Sequence, residues 1–443
     1  MNIHFIAIGG SIMHSLAIEL KKNGHNISGS DDSIYEPSKS NLINNNLFPN
    51  YKGWKDSLIN KNLDMVILGM HAKKDNPELL MAQRIGVPIF SFPEFIANNS
   101  IHKQRIVIAG SHGKTTITSM ILHVLNTCSI PCDYVVGAHL EGIDNQVRLQ
   151  NNSAIIIEGD EYLSSCIDTK PKFHYYKPNI LVVSGVAWDH INVFPTESSY
   201  QEVFKNLIFQ CSNSCNIFYC AEDQFLYDIC VNKSNANPYG LPSYVIRDNK
   251  FILINKTKHY PLKIFGKHNL LNIQAAKNVC LKLGVSEQEF FQSITSFSGA
   301  SKRLTLLKES KDQSIYLDFA HSPSKVQATI SAVKELYPNR ELIACLELHT
   351  FSSLNKSFFI KYYSSFELAE EVWIYYSHSP SNKKPVDLDV NTIKGSISNA
   401  KLCVINYKDK LYTKIINSKN RKVNMLFMSS GNFSGLDIKS LFD

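Results

Sequence analysis

Short apolar runs bounded by turn residues alternate along this chain with longer stretches whose apolar positions return every three or four residues. In the first hundred residues this rhythm predicts strands at 3–8, 26–29, 65–68 and 88–90 and helices at 12–22 and 77–84. An apolar strand through Val107 and Ile108 then leads into a helix over 116–125. Further strands fall at 134–136, 154–158 and 180–183, and a helix opens at 266–272 and continues through Ala275, Ala276 and Val279. The last stretch repeats the pattern, with strands at 315–318, 341–345, 372–376, 401–405 and 424–428 and a proline-started helix over 323–336. Strands that alternate with helices build parallel sheets covered on both faces, so the fold class is α/β. The chain divides into three such units, 1–103, 104–298 and 299–443.

Chemistry enters where strand turns into helix. Ala109-Gly110-Ser111-His112-Gly113-Lys114-Thr115-Thr116 reads as a nucleotide-phosphate loop. Gly110 and Gly113 let backbone N–H groups face an anion, Lys114 reaches the outer phosphates, and the Thr115 hydroxyl holds Mg²⁺. The helix that begins at Thr116 aims its positive end at the same anion. Glu158, at the carboxyl end of its strand, supplies the carboxylate oxygen that a hard cation shared with phosphate requires. His190, ending the next strand, is a second ligand or a hydrogen-bond donor to substrate. Asn269 and Asn272, three apart, share one face of a helix's first turn and suit a purine or a phosphate. Lys302-Arg303 stands at a unit junction, where an arginine can neutralise a phosphate. Asp318-Phe319-Ala320-His321-Ser322-Pro323 presents an acid and a histidine before a helix.

The opening turn, Ile8-Gly9-Gly10-Ser11-Ile12-Met13, partly matches a dinucleotide fingerprint, with Ser30-Asp31-Asp32 where a ribose-binding acid would sit. Ala7 and Met13 replace the first and third glycines of that spacing, which favours a loop for another diphosphate. The 443 residues carry a net charge of +7 with scattered basic residues, which suits anionic small substrates and argues against a nucleic-acid face. No uncharged run reaches the roughly 18 residues of a membrane helix, and no basic leader precedes the first strand, so the expected location is the cytoplasm. Ten cysteines in such a chain are expected to stay reduced, and Cys211, Cys215 and Cys220 lack zinc-site spacing.

Taken in order, the loop at 110–116, Glu158, Asp189-His190, His268-Asn269-Leu270-Leu271-Asn272 and Asp318 to Pro323 resemble the motifs of the Mur ligases. That resemblance implies a Rossmann-like N-terminal domain for a UDP-linked substrate, a central P-loop ATPase-like domain and a Rossmann-like C-terminal domain for the amine. It implies ATP and Mg²⁺ as cofactors, and UDP-N-acetylmuramate and a cell-wall amino acid or peptide as substrates, in a monomer or weak homodimer. By the same match, Lys114, Glu158, His190 and Arg303 are catalytic, with Mg²⁺ on Thr115, Glu158 and His190. ATP falls to Gly110, His112, Gly113, Lys114, Thr115, Thr116, Asn269, Asn272, Arg303 and Asp318, and the UDP-substrate to Gly9, Gly10, Ser11, Ser30 and Asp31.

The 8–10 loop with Gly29-Ser30-Asp31 is similar to the branch acting directly on UDP-N-acetylmuramate. Where other peptide-adding relatives carry a carbamylated lysine, this chain has Phe204, with Lys205 one place off. Glu158-Gly159-Asp160-Glu161-Tyr162, then Asp168, Lys172-Phe173, Tyr176 and Pro178, then Phe194-Pro195, and Ser429 to Gly435 resemble the member that attaches the whole tripeptide L-alanyl-γ-D-glutamyl-meso-diaminopimelate in cell-wall recycling. Glu347 to Ser352 departs from that member's arginine-bearing E-P-R-S-N-T. A ligase for free L-alanine and a nucleotide-binding sensor without turnover are the alternatives.

Overall fold

The computed structural model describes the whole chain apart from residues 139, 141, 301, 302, 378–387, 398, 400 and 443; Lys302 therefore lies outside the described residues. Contacts gather the described chain into two compact units. One comprises 1–186, 201–239 and 275–286, the other 187–200, 240–274 and 287–443.

The first unit contains two sheets. Asn26–Ser30, Asn2–Ile6, Met65–Leu68 and Ile89–Ser91 form, in that order, a four-stranded parallel sheet. The second sheet runs Ala236–Tyr239, Asn216–Cys220, Ile180–Val183, Gln104–Ala109, Ala154–Glu158, Asp133–Val135 and Val147–Arg148, parallel except for its last pair. Its middle strands are continuous apolar runs because both faces are covered; Ile106, Val107, Ile108, Ile155, Ile156, Ile157, Leu181 and Val182 have no exposed surface. The helix Lys114–Thr127 buries Ile117, Met120, Ile121, Val124 and Leu125, the stripe expected of a helix laid on a sheet.

The second unit holds an antiparallel meander, Tyr244–Arg247, Lys250–Asn255 and Lys258–Pro261. It also holds a six-stranded sheet in the order Thr305–Glu309, Ser314–Asp318, Asn424–Met428, Leu342–Glu347, Glu371–Tyr375 and Leu402–Ile405. Only the first pair of that sheet is antiparallel. One face packs Ile315, Trp373, Tyr375, Met425 and Phe427 into a core. The helix Pro323–Leu336 begins on a proline, whose missing N–H costs nothing at a first turn, and turns Val326, Ile330 and Val333 inward. Three neighbouring strands thus end together at Asp318, Met428 and Glu347. All ten cysteines are free, and among the described residues no helix is long and apolar enough to cross a membrane.

Ile156 lies between two hydrogen-bonded neighbours with no surface exposed. Ile156→Ala is expected to lower unfolding stability by about 2–5 kcal/mol, the usual cost of an unfilled aliphatic cavity. The urea midpoint reads this, and a loss below about 1 kcal/mol would mean that the sheet closes over the gap.

Candidate active site

The loop after Gln104–Ala109 is shaped by a close approach. Gly110 has φ 130°, and a Cβ there would lie 2.2 Å from the Ser184 hydroxyl and 2.9 Å from the Ser184 backbone nitrogen. Only glycine supplies that conformation without a clash. Ser184 N–H donates to the Ala109 carbonyl at 3.0 Å, Ser111 N–H to the Gly185 carbonyl at 2.9 Å, and the Ser184 hydroxyl donates to the His112 carbonyl. Gly113, at φ 78°, caps the following helix. That helix starts at Lys114, two residues before its expected start, so Thr115 and Thr116 lie in its first turn.

The charged groups converge here. Lys114 Nζ donates to the Gly110 carbonyl at 2.6 Å and to Glu161 Oε2 at 2.7 Å. Burial alone would lower the Lys114 pKa, but the carboxylates of Glu161, Asp160 and Glu158 outweigh it and hold the ammonium above its ordinary value. Thr115 Oγ1 donates to Glu158 Oε1 at 2.7 Å, and Gly137 N–H to Glu158 Oε2 at 2.9 Å. A hydroxyl and a carboxylate oxygen therefore stand side by side. Such a donor pair fits Mg²⁺, which takes one or two protein oxygens and completes its shell with phosphate and water. Among the described residues no group of three or more His, Cys, Asp or Glu side chains forms a metal cage.

The N-terminal loop belongs to the same unit. Asp31 accepts from Gly9 N–H at 2.8 Å and Ser33 N–H at 3.2 Å. Burial, with Asp32 beside it, raises the Asp31 pKa against those bonds. Gly10 borders the loop and Ser11 is exposed. Ser30 faces inward: its hydroxyl donates to buried Glu78, and its carbonyl takes the N–H groups of Ala7 and Ile8. Asp31 also lines a cleft of about 550 Å³ with Tyr35, Lys39, Tyr51 and Lys52. Phe204 is fully buried, edge-on to Phe173 at 5.3 Å, while Lys205 lies 3.7 Å from Glu202.

The second unit assembles a different set. Asp189 Oδ1 accepts from His190 N–H at 2.7 Å, and His190 adopts φ 54°. Burial works to raise the Asp189 pKa, but the Lys325 ammonium 3.9 Å away, with His190 and His321, brings it below the ordinary carboxylate value. His321 is neutral: burial, then Lys325, press its pKa down to about 3, and its ring lies 2.8 Å from the Phe319 carbonyl. Asp318 accepts from Leu304 N–H, Phe319 N–H and the Thr329 hydroxyl at 2.9, 2.8 and 2.7 Å. The Arg303 guanidinium stacks 4.6 Å from the Phe319 ring centre. Asn269 and Asn272 are both buried, 3.5 Å apart, and Asn269 Nδ2 reaches back to the Phe265 carbonyl at 2.9 Å. Since the helix starts at Lys267, Asn269 is not its cap.

The sequence does not single out Ser184, Lys325 and Thr329, nor assign Glu161 a role: Ser184 and Glu161 meet Gly110 and Lys114 in the first unit, and Lys325 and Thr329 meet Asp189 and Asp318 in the second. The one local signal was Gly110 itself, which demands a close neighbour.

Two family models match, "Mur ligase family, catalytic domain" over residues 2–104 and "Mur ligase middle domain" over 108–280. The UDP-N-acetylmuramate–L-alanine ligase of Clostridium tetani is 30% identical over 82% of this chain and 81% of its own. The chain belongs to the Mur ligase family. It is an ATP-dependent amide ligase, with the mixed α/β fold of that family. Solved relatives share that fold across the full chain. A murein peptide ligase from Psychrobacter arcticus has a TM-score of 0.67 at 21% identity, covering 100% of this chain and 99% of its own. The UDP-N-acetylmuramate-alanine ligase of Thermotoga maritima has a TM-score of 0.73 at 20% identity, covering 100% and 98%.

Gly110→Ala would set a methyl group against Ser184 and force a strained φ. Nucleotide affinity is expected to fall at least about tenfold, read by ADP titration, with the far-UV spectrum unchanged. Wild-type affinity in this variant would show that the loop relaxes around the methyl.

Proposed function

We propose that this ligase joins the carboxyl group of UDP-N-acetylmuramate to the alanyl amine of L-alanyl-γ-D-glutamyl-meso-diaminopimelate. The grouping of Lys114, Thr115 and Glu158 at one strand edge carries the nucleotide half of this reading. The tripeptide half is supported by the motif residues of the 158–178 segment, each of which is held in place by its neighbours. Lys172 donates to Asp160 at 2.6 Å, Tyr175, outside the motif, donates to Asp168, and Tyr176 is buried.

The roles follow from the chemistry. A carboxylate oxygen of the muramoyl group attacks the γ-phosphorus of ATP and ADP leaves. The amine nitrogen then attacks the acyl carbon, loses its proton, and expels phosphate. Lys114 and Arg303 offset charge on the transferring phosphoryl group. Thr115 and Glu158 would hold Mg²⁺, with His190 toward a second ion; the bound metal supplies charge neutralisation and alignment. Gly110, His112, Gly113 and Thr116 shape the phosphate cradle, Asn269 and Asn272 face the base, and Asp318 positions the nucleotide. Gly9, Gly10, Ser11 and Asp31 receive the uridine diphosphate, with Ser30 holding their loop through its carbonyl. The reading includes a three-domain division at 103/104 and 298/299 and a cytoplasmic location.

The L-alanine ligases among the relatives favour a second reading, in which free L-alanine is the amine. Phosphate release from ATP with UDP-N-acetylmuramate and Mg²⁺ separates them. Turnover with the tripeptide and little with L-alanine supports the proposal, and the reverse overturns it. Lys114→Ala is expected to cut phosphate release by about 10²-fold or more, the usual cost of one charge-stabilising donor; retained turnover would remove Lys114 from the site.

A further inference from the structure

One carboxylate of the first unit is wholly enclosed yet stands apart from the nucleotide loop. Glu78 lies in the first turn of the helix Pro77–Ile85, with none of its side chain exposed. The Asn76 side chain accepts its N–H at 2.9 Å, which fixes the turn. Burying a charge is costly unless donors surround it, and three polar partners do. Glu78 Oε1 accepts from Lys55 N–H at 2.8 Å. Glu78 Oε2 accepts the Ser30 hydroxyl and lies 3.2 Å from His4 Nε2, whose other ring nitrogen is 2.8 Å from the Ser28 hydroxyl. His4 and Ser28 stand opposite each other in paired strands, so the imidazole is fixed in turn.

The two oxygens of Glu78 reach two different loops. Ser30 is followed by Asp31, which takes Gly9 N–H at 2.8 Å and begins one wall, 31–35, of the cleft of about 550 Å³. Lys55 follows the other wall, 48–52, and its ammonium stands 4.1 Å from the centre of the Tyr51 ring. Burial, then the charge of Glu78, hold the Tyr51 phenol above its ordinary pKa, so the carboxylate is felt at that wall. One further bond joins the loops, from Gly53 N–H to the Asp31 carbonyl at 2.8 Å. Neither 31–35 nor 48–55 belongs to a strand of the sheet. We propose that Glu78 is the positioning residue of this cleft: its two oxygens hold the walls at the spacing that receives the uridine diphosphate end of the substrate. A cleft built before the ligand arrives spares the cost of ordering two loops on binding. The inference rests on the UDP-substrate reading of the N-terminal loop, which both amine readings share.

The test is calorimetric titration of the full chain with UDP-N-acetylmuramate alone, with ADP as the control ligand. Glu78→Met keeps the length of the side chain and removes both acceptors. The Ser30 hydroxyl can then turn to His4 Nε2, 3.4 Å away, but Lys55 N–H has lost its acceptor. Affinity for UDP-N-acetylmuramate is expected to fall about tenfold or more, with ADP affinity within about twofold of wild type. Glu78→Gln should recover most of the loss, because its amide oxygen can face Lys55 N–H and its amide nitrogen can donate to the Ser30 hydroxyl. Wild-type affinity for UDP-N-acetylmuramate in Glu78→Met overturns the proposal, and so does an equal fall for both ligands, which marks a general lesion. A second measurement needs no variant and decides the matter if Glu78→Met fails to fold. In wild-type crystals soaked with UDP-N-acetylmuramate, the uridine diphosphate should lie between 31–35 and 48–52 with both Glu78 bonds intact. A nucleotide end seated elsewhere, or a broken bond from Lys55 to Glu78, overturns the proposal equally. If wild type binds ADP but not UDP-N-acetylmuramate, the UDP reading itself falls and the positioning role with it. Substrate seated in the cleft, together with wild-type affinity in Glu78→Met, sinks the positioning role alone.

Discussion

The van der Waals gap between Gly110 and Ser184 governs the geometry of the nucleotide loop. Gln104–Ala109 runs between Ala154–Glu158 and Ile180–Val183 in parallel register, Ile108 opposite Glu158 and Ala109 opposite Val183. The three strands therefore end at one edge, where open parallel sheets take ligands. The next residue of one strand must clear the next residue of its neighbour, and a bare Cα does so. Ser184 then fastens the loop at Ala109 and His112, and the helix start, Lys114 and Thr115 are delivered to Glu158.

Legibility in the sequence followed the range of the interactions. Strands at 65–68, 154–158, 180–183 and 424–428 and the helix at 323–336 have the expected bounds, because each is an apolar run or a capped apolar stripe readable within its own window. The meander at 244–261 went unread: its middle strand carries the apolar run 251–254, but the strands on either side are four residues long, leave no residue fully buried and give little alternation to read. The helices at 38–44, 197–210 and 408–418 carry enough polar and aromatic residues to blur their period. Thr305–Glu309 is an exposed edge strand with little apolar signal. The phosphate loop was legible because strand, glycines and helix are contiguous. Ser184, Glu161, Lys325 and Thr329 were not, because pairing across 11 to 136 residues leaves no local period. Ser30 shows the same limit at one residue: the sequence put it beside the loop, and the pleat turned its hydroxyl to Glu78.

Phe204 and Glu347 both serve the interior. Phe204 fills a fully buried aromatic contact with Phe173, so a lysine placed there would have to desolvate its ammonium among aromatic rings. Glu347 is buried at the end of its strand, accepting the Ser429 hydroxyl and the Phe433 N–H, while a Cβ on Gly431 would come within 2.9 Å of its carboxylate. That carboxylate fixes the 429–435 loop rather than meeting solvent. The following residues close their own turn, Thr350 and Ser353 bonding each other at 3.0 Å. A guanidinium in this segment would have offered a fork for a carboxylate; hydroxyls and an imidazole offer single, shorter-reaching donors. The polar groups of this segment are thus spent on its own turn and on the 429–435 loop.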